Sequence, residues 1–193
     1  MKRAMIFAAI SLLILAFSLN AGAAAPSIYA GAGYAIPMGD FGDAYNGGIG
    51  GTAGVGFLIN PKFEIGGRLA YSVFGSKVSG GPNFKSLEIM GDGRYIFPKG
   101  SSDSKFEPFI TAGLGFVNSK IGSTTITIGD YSVTAGGGSS TDFAINFGAG
   151  FDYLLSPAMK LFVEARYMSV QSSGGSSSYL PVRAGLKFLL GQK

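Results

Sequence analysis

Residues 141–154 read TDFAINFGAGFDYL, and the spacing within them decides the fold. Phe143, Ile145, Phe147, Ala149, Phe151 and Tyr153 share one parity, while Ala144, Asn146, Gly148, Gly150 and Asp152 share the other. A period of two puts the two sets on opposite faces of a β-strand. A helix would scatter both sets, and each internal Gly would cost it about 1 kcal/mol relative to Ala. Working outward, the pattern recurs in 27–36, 49–59, 62–74, 84–97, 106–118, 159–170 and 179–190, each bounded by Gly, Pro, Asn, Asp or Ser. In 159–170, Leu161, Val163, Ala165 and Tyr167 oppose Lys160, Phe162, Glu164 and Arg166. In 179–190, Leu180, Val182, Ala184, Leu186, Phe188 and Leu190 oppose Arg183 and Lys187.

Alternation alone does not say which face is inside. A soluble barrel buries its apolar face, and a membrane barrel turns it outward to lipid. Three features favour lipid outside. The connections alternate between short (60–61, 98–105, 155–158) and longer, Gly- and Ser-rich ones (37–48, 75–83, 119–140, 171–178). Apolar-face aromatics gather near strand ends, with Phe57, Phe63, Tyr95, Phe97, Phe106, Phe151, Tyr153 and Phe188 toward the short turns. Tyr34, Tyr71, Phe116, Phe143 and Tyr167 fall toward the long loops, so the two groups form interfacial girdles. The opposite face carries Glu64, Glu88, Asp92, Glu107, Asp152 and Glu164 together with Arg68, Arg94, Lys160, Arg166, Arg183 and Lys187, charges that cancel. A narrow lumen tolerates such groups only as pairs, because an isolated buried charge costs several kcal/mol. The expected fold is all-β, a single antiparallel up-and-down transmembrane β-barrel of eight strands.

Composition agrees. Hydrophobic residues make up 47% of the 193 and charged ones 13%, about half the charge usual in a soluble domain. The net charge of +4 comes without a basic run, so nucleic acid is not an expected partner. Cys and His are absent, which removes disulfides, thiolate and imidazole metal ligands, lipoprotein acylation and Ser-His-acid hydrolysis. Glu64, Glu88, Asp92, Glu107 and Glu164 are read as structural ion-pair members rather than a catalytic carboxylate pair. No cofactor, metal or enzymatic activity is expected. Asp40, Asp43 and Asp103 lie scattered in loops without Ca²⁺-loop spacing.

Residues 1–25 read MKRAMIFAAISLLILAFSLNAGAAA: a basic start, an apolar run and a small-residue tail. This is the layout of a secretory signal peptide, with cleavage expected after Ala23 and the barrel domain spanning 24–193.

The body resembles the small outer-membrane β-barrel family, the OmpA-, OmpX- and Opa-like, porin-like barrel domains. The carriers are Ile36-Pro37-Met38-Gly39-Asp40-Phe41, Ile59-Asn60-Pro61-Lys62 and the C-terminal stretch from Arg183 to Leu190. That stretch is similar to the barrel-assembly signal, polar-x-Gly-x-x-hydrophobic-x-aromatic. Arg183, Gly185 and Phe188 match it, whereas Leu190 stands where an aromatic is usual and three residues follow. The resemblance implies a Gram-negative cell outer membrane, both termini periplasmic, and handling by periplasmic chaperones and the barrel-assembly machinery. Outer-membrane lipid and lipopolysaccharide are the implied surroundings. Members include membrane-integrity proteins, adhesins and narrow pores, and fold does not choose among them.

Residues 119–140 hold Thr124-Thr125-Ile126-Thr127-Ile128, then Gly129-Asp130, then Tyr131-Ser132-Val133-Thr134, a hairpin pattern. It either extends strands 5 and 6 beyond the membrane, the preferred reading, or adds two spanning strands to make ten. An extending ribbon offers an extracellular partner strand addition. The leading functional reading is a non-enzymatic barrel filled by side chains, contributing to membrane structure or surface interaction through its loops. Its rival is a narrow pore, for which inner-face Gly54, Gly56, Gly66, Gly113, Gly115, Gly148 and Gly150 would leave gaps. A third is a periplasmic lipid-binding barrel with an apolar interior. Cell fractionation followed by gels before and after boiling is expected to place the protein with the outer membrane and show a heat-dependent mobility shift. A soluble protein whose mobility ignores boiling would exclude the membrane barrel.

Overall fold

Backbone pairing closes the chain on itself. The computed structural model describes residues 26–98, 101, 104–128, 131–172 and 174–190. Its strands are β1 (Pro26–Met38), β2 (Tyr45–Asn60), β3 (Phe63–Ser76), β4 (Phe84–Ile96), β5 (Phe106–Ile128), β6 (Tyr131–Ser156), β7 (Met159–Ser172) and β8 (Gly175–Leu189). Each pairs antiparallel with the next, and β8 pairs with β1, so the barrel has eight strands and no open edge around its circumference. A short helix, α1 (Gly39–Ala44), lies between β1 and β2. The expected signal peptide lies outside the described residues.

The turns follow local chemistry. Asn60 Oδ1 accepts hydrogen bonds from the backbone N–H groups of Lys62 (2.9 Å) and Phe63 (3.0 Å). This side-chain turn reverses β2 into β3 around Pro61, which has no N–H to leave unpaired. Register shifts sit beside this turn, between Leu58 and Asn60, and beside the β6–β7 turn, between Leu154 and Ser156.

At the opposite end the expected coil is mostly strand. In place of a 37–48 loop, β1 runs to Met38 and Gly39, at φ +56, turns the chain inward into α1. That left-handed backbone favours Gly. Residues 171–172 and 175–178 also pair, with Gln171 opposite Ser176 and Ser169 opposite Ser178. Their Gly- and Ser-rich composition reads as loop, yet paired neighbours supply the missing drive by satisfying the backbone. Residues 119–128 and 131–140 pair with each other as continuations of β5 and β6, registered out to Ile128 opposite Tyr131, so eight strands is the count. Pairing to the flanking strands ends earlier, at Ile121 on β5 and Phe143 on β6. Gly122 N–H still donates to Asn83 O at 3.0 Å, and Gly137 opposite takes φ +86. Beyond these glycines the ribbon stands free of the wall by on the order of 20 Å, at about 3.4 Å per residue.

Alternation sorts the side chains. On β3, Ile65, Leu69 and Tyr71 are exposed while Glu64, Arg68, Ala70, Ser72 and Phe74 are buried. On β5, Ile110, Leu114 and Phe116 are exposed while Phe109, Thr111 and Val117 are buried. The barrel is thus apolar outside and charged inside, the inverse of a lipid-binding barrel, whose interior must be apolar. That third reading is set aside. Such a belt is stable where the surrounding solvent is itself apolar. Ile110 lies near the middle of the belt. In folding from urea into lipid vesicles, Ile110→Arg is expected to lower stability by about 2–4 kcal/mol. An unchanged unfolding midpoint would show that this face is not in hydrocarbon.

Candidate functional site

The lumen is the one region where all strands converge, and it is built in layers. Toward the short turns, Lys160 Nζ donates to Glu107. Above it runs a connected chain of alternating charges. Glu64 meets Lys187 and, at 3.9 Å, Arg94. Lys187 lies 3.7 Å from Asp152, which is 3.2 Å from Arg94. Arg94 is 3.7 Å from Glu164, and Glu164 is 2.9 Å from Arg166. Arg166 reaches Asp92 at 3.0 Å, Asp92 reaches Arg68 at 2.9 Å, and Arg68 donates to Glu88 at 2.6 Å. Glu88 ends the path at Arg183, 3.0 Å away.

All twelve charged residues assigned to the inner face by parity therefore lie in this lumen, and every acid touches a base. The pairing follows from register. Arg68 on β3 stands opposite Met90 on β4, midway between Glu88 and Asp92, so its guanidinium fork spans both carboxylates. Neutral groups extend the network: Asn146 donates from Nδ2 to Asp92 (3.0 Å) and accepts from Arg166 Nη1 (3.1 Å). The Arg94 guanidinium sits 3.8 Å from the centroid of the Phe109 ring, a cation–π contact in place of a solvent shell.

Toward the long loops the ion-pair chain ends at Glu88 and Arg183. Ala35, Phe41, Phe74, Met90, Val117, Ala144, Met168, Val170 and Tyr179 form a buried apolar cluster, with Tyr45 and Phe84 packed against it. Phe41, carried in by α1, lies 4.9 Å from Phe84 and 5.1 Å from Phe74, both edge-on. Tyr179 joins the layers, packing 5.5 Å from Phe74 and donating its hydroxyl to Glu88 at 3.1 Å. This apolar cap is absent from the sequence reading. Phe74 and Tyr179 share parity with Arg68 and Arg183, a signal that places them inside. Phe41 carries no such signal, because it lies on a helix that the sequence reads as loop.

The inner glycines do not open gaps. A Cβ at Gly150 would stand 2.6 Å from Phe109 Cζ, one at Gly56 2.6 Å from Glu64 Oε1, and one at Gly115 2.9 Å from Met90 Sδ. At Gly148 it would meet Arg166 Cγ at 2.9 Å. Tyr29 occupies the space over Gly54, and Asp92 with Asn146 that over Gly113, while Gly66 abuts the Val55 carbonyl. Glycine here makes room for a neighbouring strand's large side chain. A cavity of about 80 Å³ opens at the mouth among Phe41, Phe84, Ser119, Ser140 and Tyr179, and no member of the charged chain lines it.

The remaining sequence-predicted residues lie on the wall. Tyr34, Phe63, Tyr71, Phe97, Phe106, Phe116, Phe143, Tyr153 and Phe188 are exposed outward, with Phe57, Tyr95, Phe151 and Tyr167 half-buried among them. Phe63, Tyr95 and Phe97 meet edge-on in sequence at 5.0 and 5.2 Å, and Phe106 lies 4.9 Å from Phe151. Phe147, outside both girdles as read, is 60% exposed and 5.2 Å from Tyr167, extending one girdle inward. Of the assembly-signal residues, Arg183 and Gly185 face the lumen and Phe188 faces out. Leu190 follows β8, its N–H donating to Pro26 O at 2.8 Å.

A family model described as the outer membrane protein beta-barrel domain matches residues 9–188. Neisserial surface protein A superposes with a TM-score of 0.66 at 17% identity, over 88% of this chain and 100% of that one. The outer membrane protein OprG from Pseudomonas aeruginosa gives 0.50 at 14% identity, over 86% and 97%. The outer membrane enzyme PagL gives 0.48 at 18% identity, over 86% and 100%. At such identities the likeness speaks for the fold alone. No curated protein sequence matches the chain.

Glu88→Gln leaves the buried Arg183 without a carboxylate and is expected to destabilise the barrel by about 3–5 kcal/mol in urea unfolding. Adding Arg183→Met is expected to recover a good part of that loss. A single substitution costing under about 1 kcal/mol would show that the pair is solvated.

Proposed function

Because the chain belongs to the outer membrane protein beta-barrel domain family, we propose that it is a sealed, non-enzymatic barrel of the bacterial outer membrane. In this reading the signal peptide directs export and is removed, leaving 24–193 as the mature barrel. The termini and short turns face the periplasm, and α1, the β3–β4 link and the β5–β6 ribbon face outside. Export would deliver the chain through periplasmic chaperones to the barrel-assembly machinery, with Arg183, Gly185, Phe188 and Leu190 as its recognition end.

The observation that carries the sealed reading is the double closure of the lumen. An ion crossing it must break paired charges and then pass the apolar cluster around Phe41, Phe74 and Tyr179. Each of the six carboxylates in the charged layers is held by a cation, which leaves none of them free to accept a substrate proton. Function is thereby left to the surfaces: the apolar wall, which integrates the barrel with lipid, and the ribbon, which projects. Among the described residues, the part of β6 that precedes Phe143 is unpaired on its β7 side, an edge that an extended segment of an extracellular partner can join by strand addition.

Purified protein in planar lipid bilayers is expected to give no steady unit conductance. Steady currents in the wild type, reduced when Gly148→Leu or Gly115→Leu is introduced, would replace the sealed barrel with a narrow pore.

A further inference from the structure

Among the described residues, the outward face of the eight strands carries two charged side chains, Lys85 on β4 and Lys120 on β5. They are direct register partners. The next rungs of the same row are Val73 on β3 and Ser139 on β6. Both lysines and Ser139 are exposed, and neither lysine has an ion-pair partner among the described residues. Like charges directly opposite on a sheet repel each other, and an anion between them relieves that repulsion.

Among the described residues, no acid at this end forms an ion pair with either lysine. Asp40 and Asp43 are on α1, which packs mainly against β1, β2 and β8. Asp142 turns to the lumen side and accepts the Ser140 hydroxyl at 2.6 Å. Lys77, exposed just beyond the end of β3, adds a third positive charge at the same rim. The lysine pair stands one rung beyond Leu87 and Asn118, and just past the exposed aromatics Tyr71 and Phe116. It therefore lies where the apolar belt gives way to headgroups, with long side chains able to reach up to them.

We propose that Lys85 and Lys120, with the Ser139 hydroxyl, form a docking site on the outer wall for the phosphate group of a phosphorylated lipid in the leaflet on the ribbon side. The site rests on the reading that this wall stands in a membrane. Two ammonium groups act as point charges on phosphate oxygens, the hydroxyl donates a further hydrogen bond, and acyl chains lie along the apolar strands below. The pair is thereby neutralised by lipid instead of by protein, which ties the barrel to a particular class of headgroup.

The test uses full-length refolded protein in detergent, titrated with fluorescent diphosphorylated lipid A and with the same lipid after dephosphorylation. Wild type is expected to prefer the phosphorylated form, and the double variant Lys85→Gln/Lys120→Gln to bind it about tenfold more weakly. Lys85→Arg/Lys120→Arg is expected to retain binding, and Lys62→Gln/Lys105→Gln, at the opposite end, to leave it unchanged. Equal binding of both lipids by the wild type, or an unaltered affinity in the Gln pair, overturns the site. Displacement of lipid A by millimolar inorganic phosphate would assign the lysines to free phosphate and overturn the lipid proposal. The heat-dependent gel shift, read on every sample, reports separately on the barrel, so failure of the site and failure of the barrel are distinct results.

Discussion

Closure between β1 and β8, from Ser27 opposite Leu189 to Met38 opposite Ser178, is the constraint on which the rest depends. A hydrocarbon solvent offers no hydrogen bonds, so a spanning sheet with a free edge would leave a row of unpaired N–H and C=O groups, each costing several kcal/mol. Joining first strand to last removes that row. It also creates an inside, and with only eight strands the inside is about as wide as the side chains that fill it. The charged chain is a consequence of this geometry. Groups that would be solvated on an open sheet are forced within reach of each other, and alternation of sign follows.

The width of the lumen also explains its inventory of residue sizes. Arg166, Phe109 and Phe162 are fully buried, and they fit because glycines face them from adjacent strands. Gly150 yields to Phe109, and Gly185 to Phe162. Large and small are complementary across the ladder, so replacing either member disturbs its partner as well as itself. A chain rich in Gly is here the mark of a tightly filled interior, whereas the same count in isolation suggests openness.

The sequence made the strand faces legible because parity is a local property: Phe143 to Tyr153 sort correctly without knowledge of any neighbour. What lay beyond it were properties of height and partnership. That Arg68 bridges Glu88 and Asp92 depends on the β3–β4 register, and that Asp92 meets Arg166 depends on curvature bringing β4 across to β7. The apolar layer escaped notice for the same reason, since Phe74, Met90, Val117 and Tyr179 are scattered over four strands and meet only after closure. The helix of six residues, Gly39–Ala44, is too short for periodicity to reveal. Residues 171–178 look like coil because their Ser and Gly have low strand propensity, yet pairing to β7 and β1 overrides it.

The free ribbon bears on how the barrel enters its membrane. If the ribbon end faces outward, it must cross the hydrocarbon during insertion, before any wall exists to shelter it. Charged side chains are the most expensive cargo on that journey, at about 2.5–3.5 kcal/mol each on translocation scales. Between Lys120 and Asp142 the sequence carries one charged residue, Asp130, amid Thr, Ser, Gly, Ile and Tyr. Threonine and serine hydroxyls supply water solubility on arrival at a far smaller crossing cost. The hairpin's composition is thus suited to both ends of the passage, and the barrel's tallest element is also among its least charged.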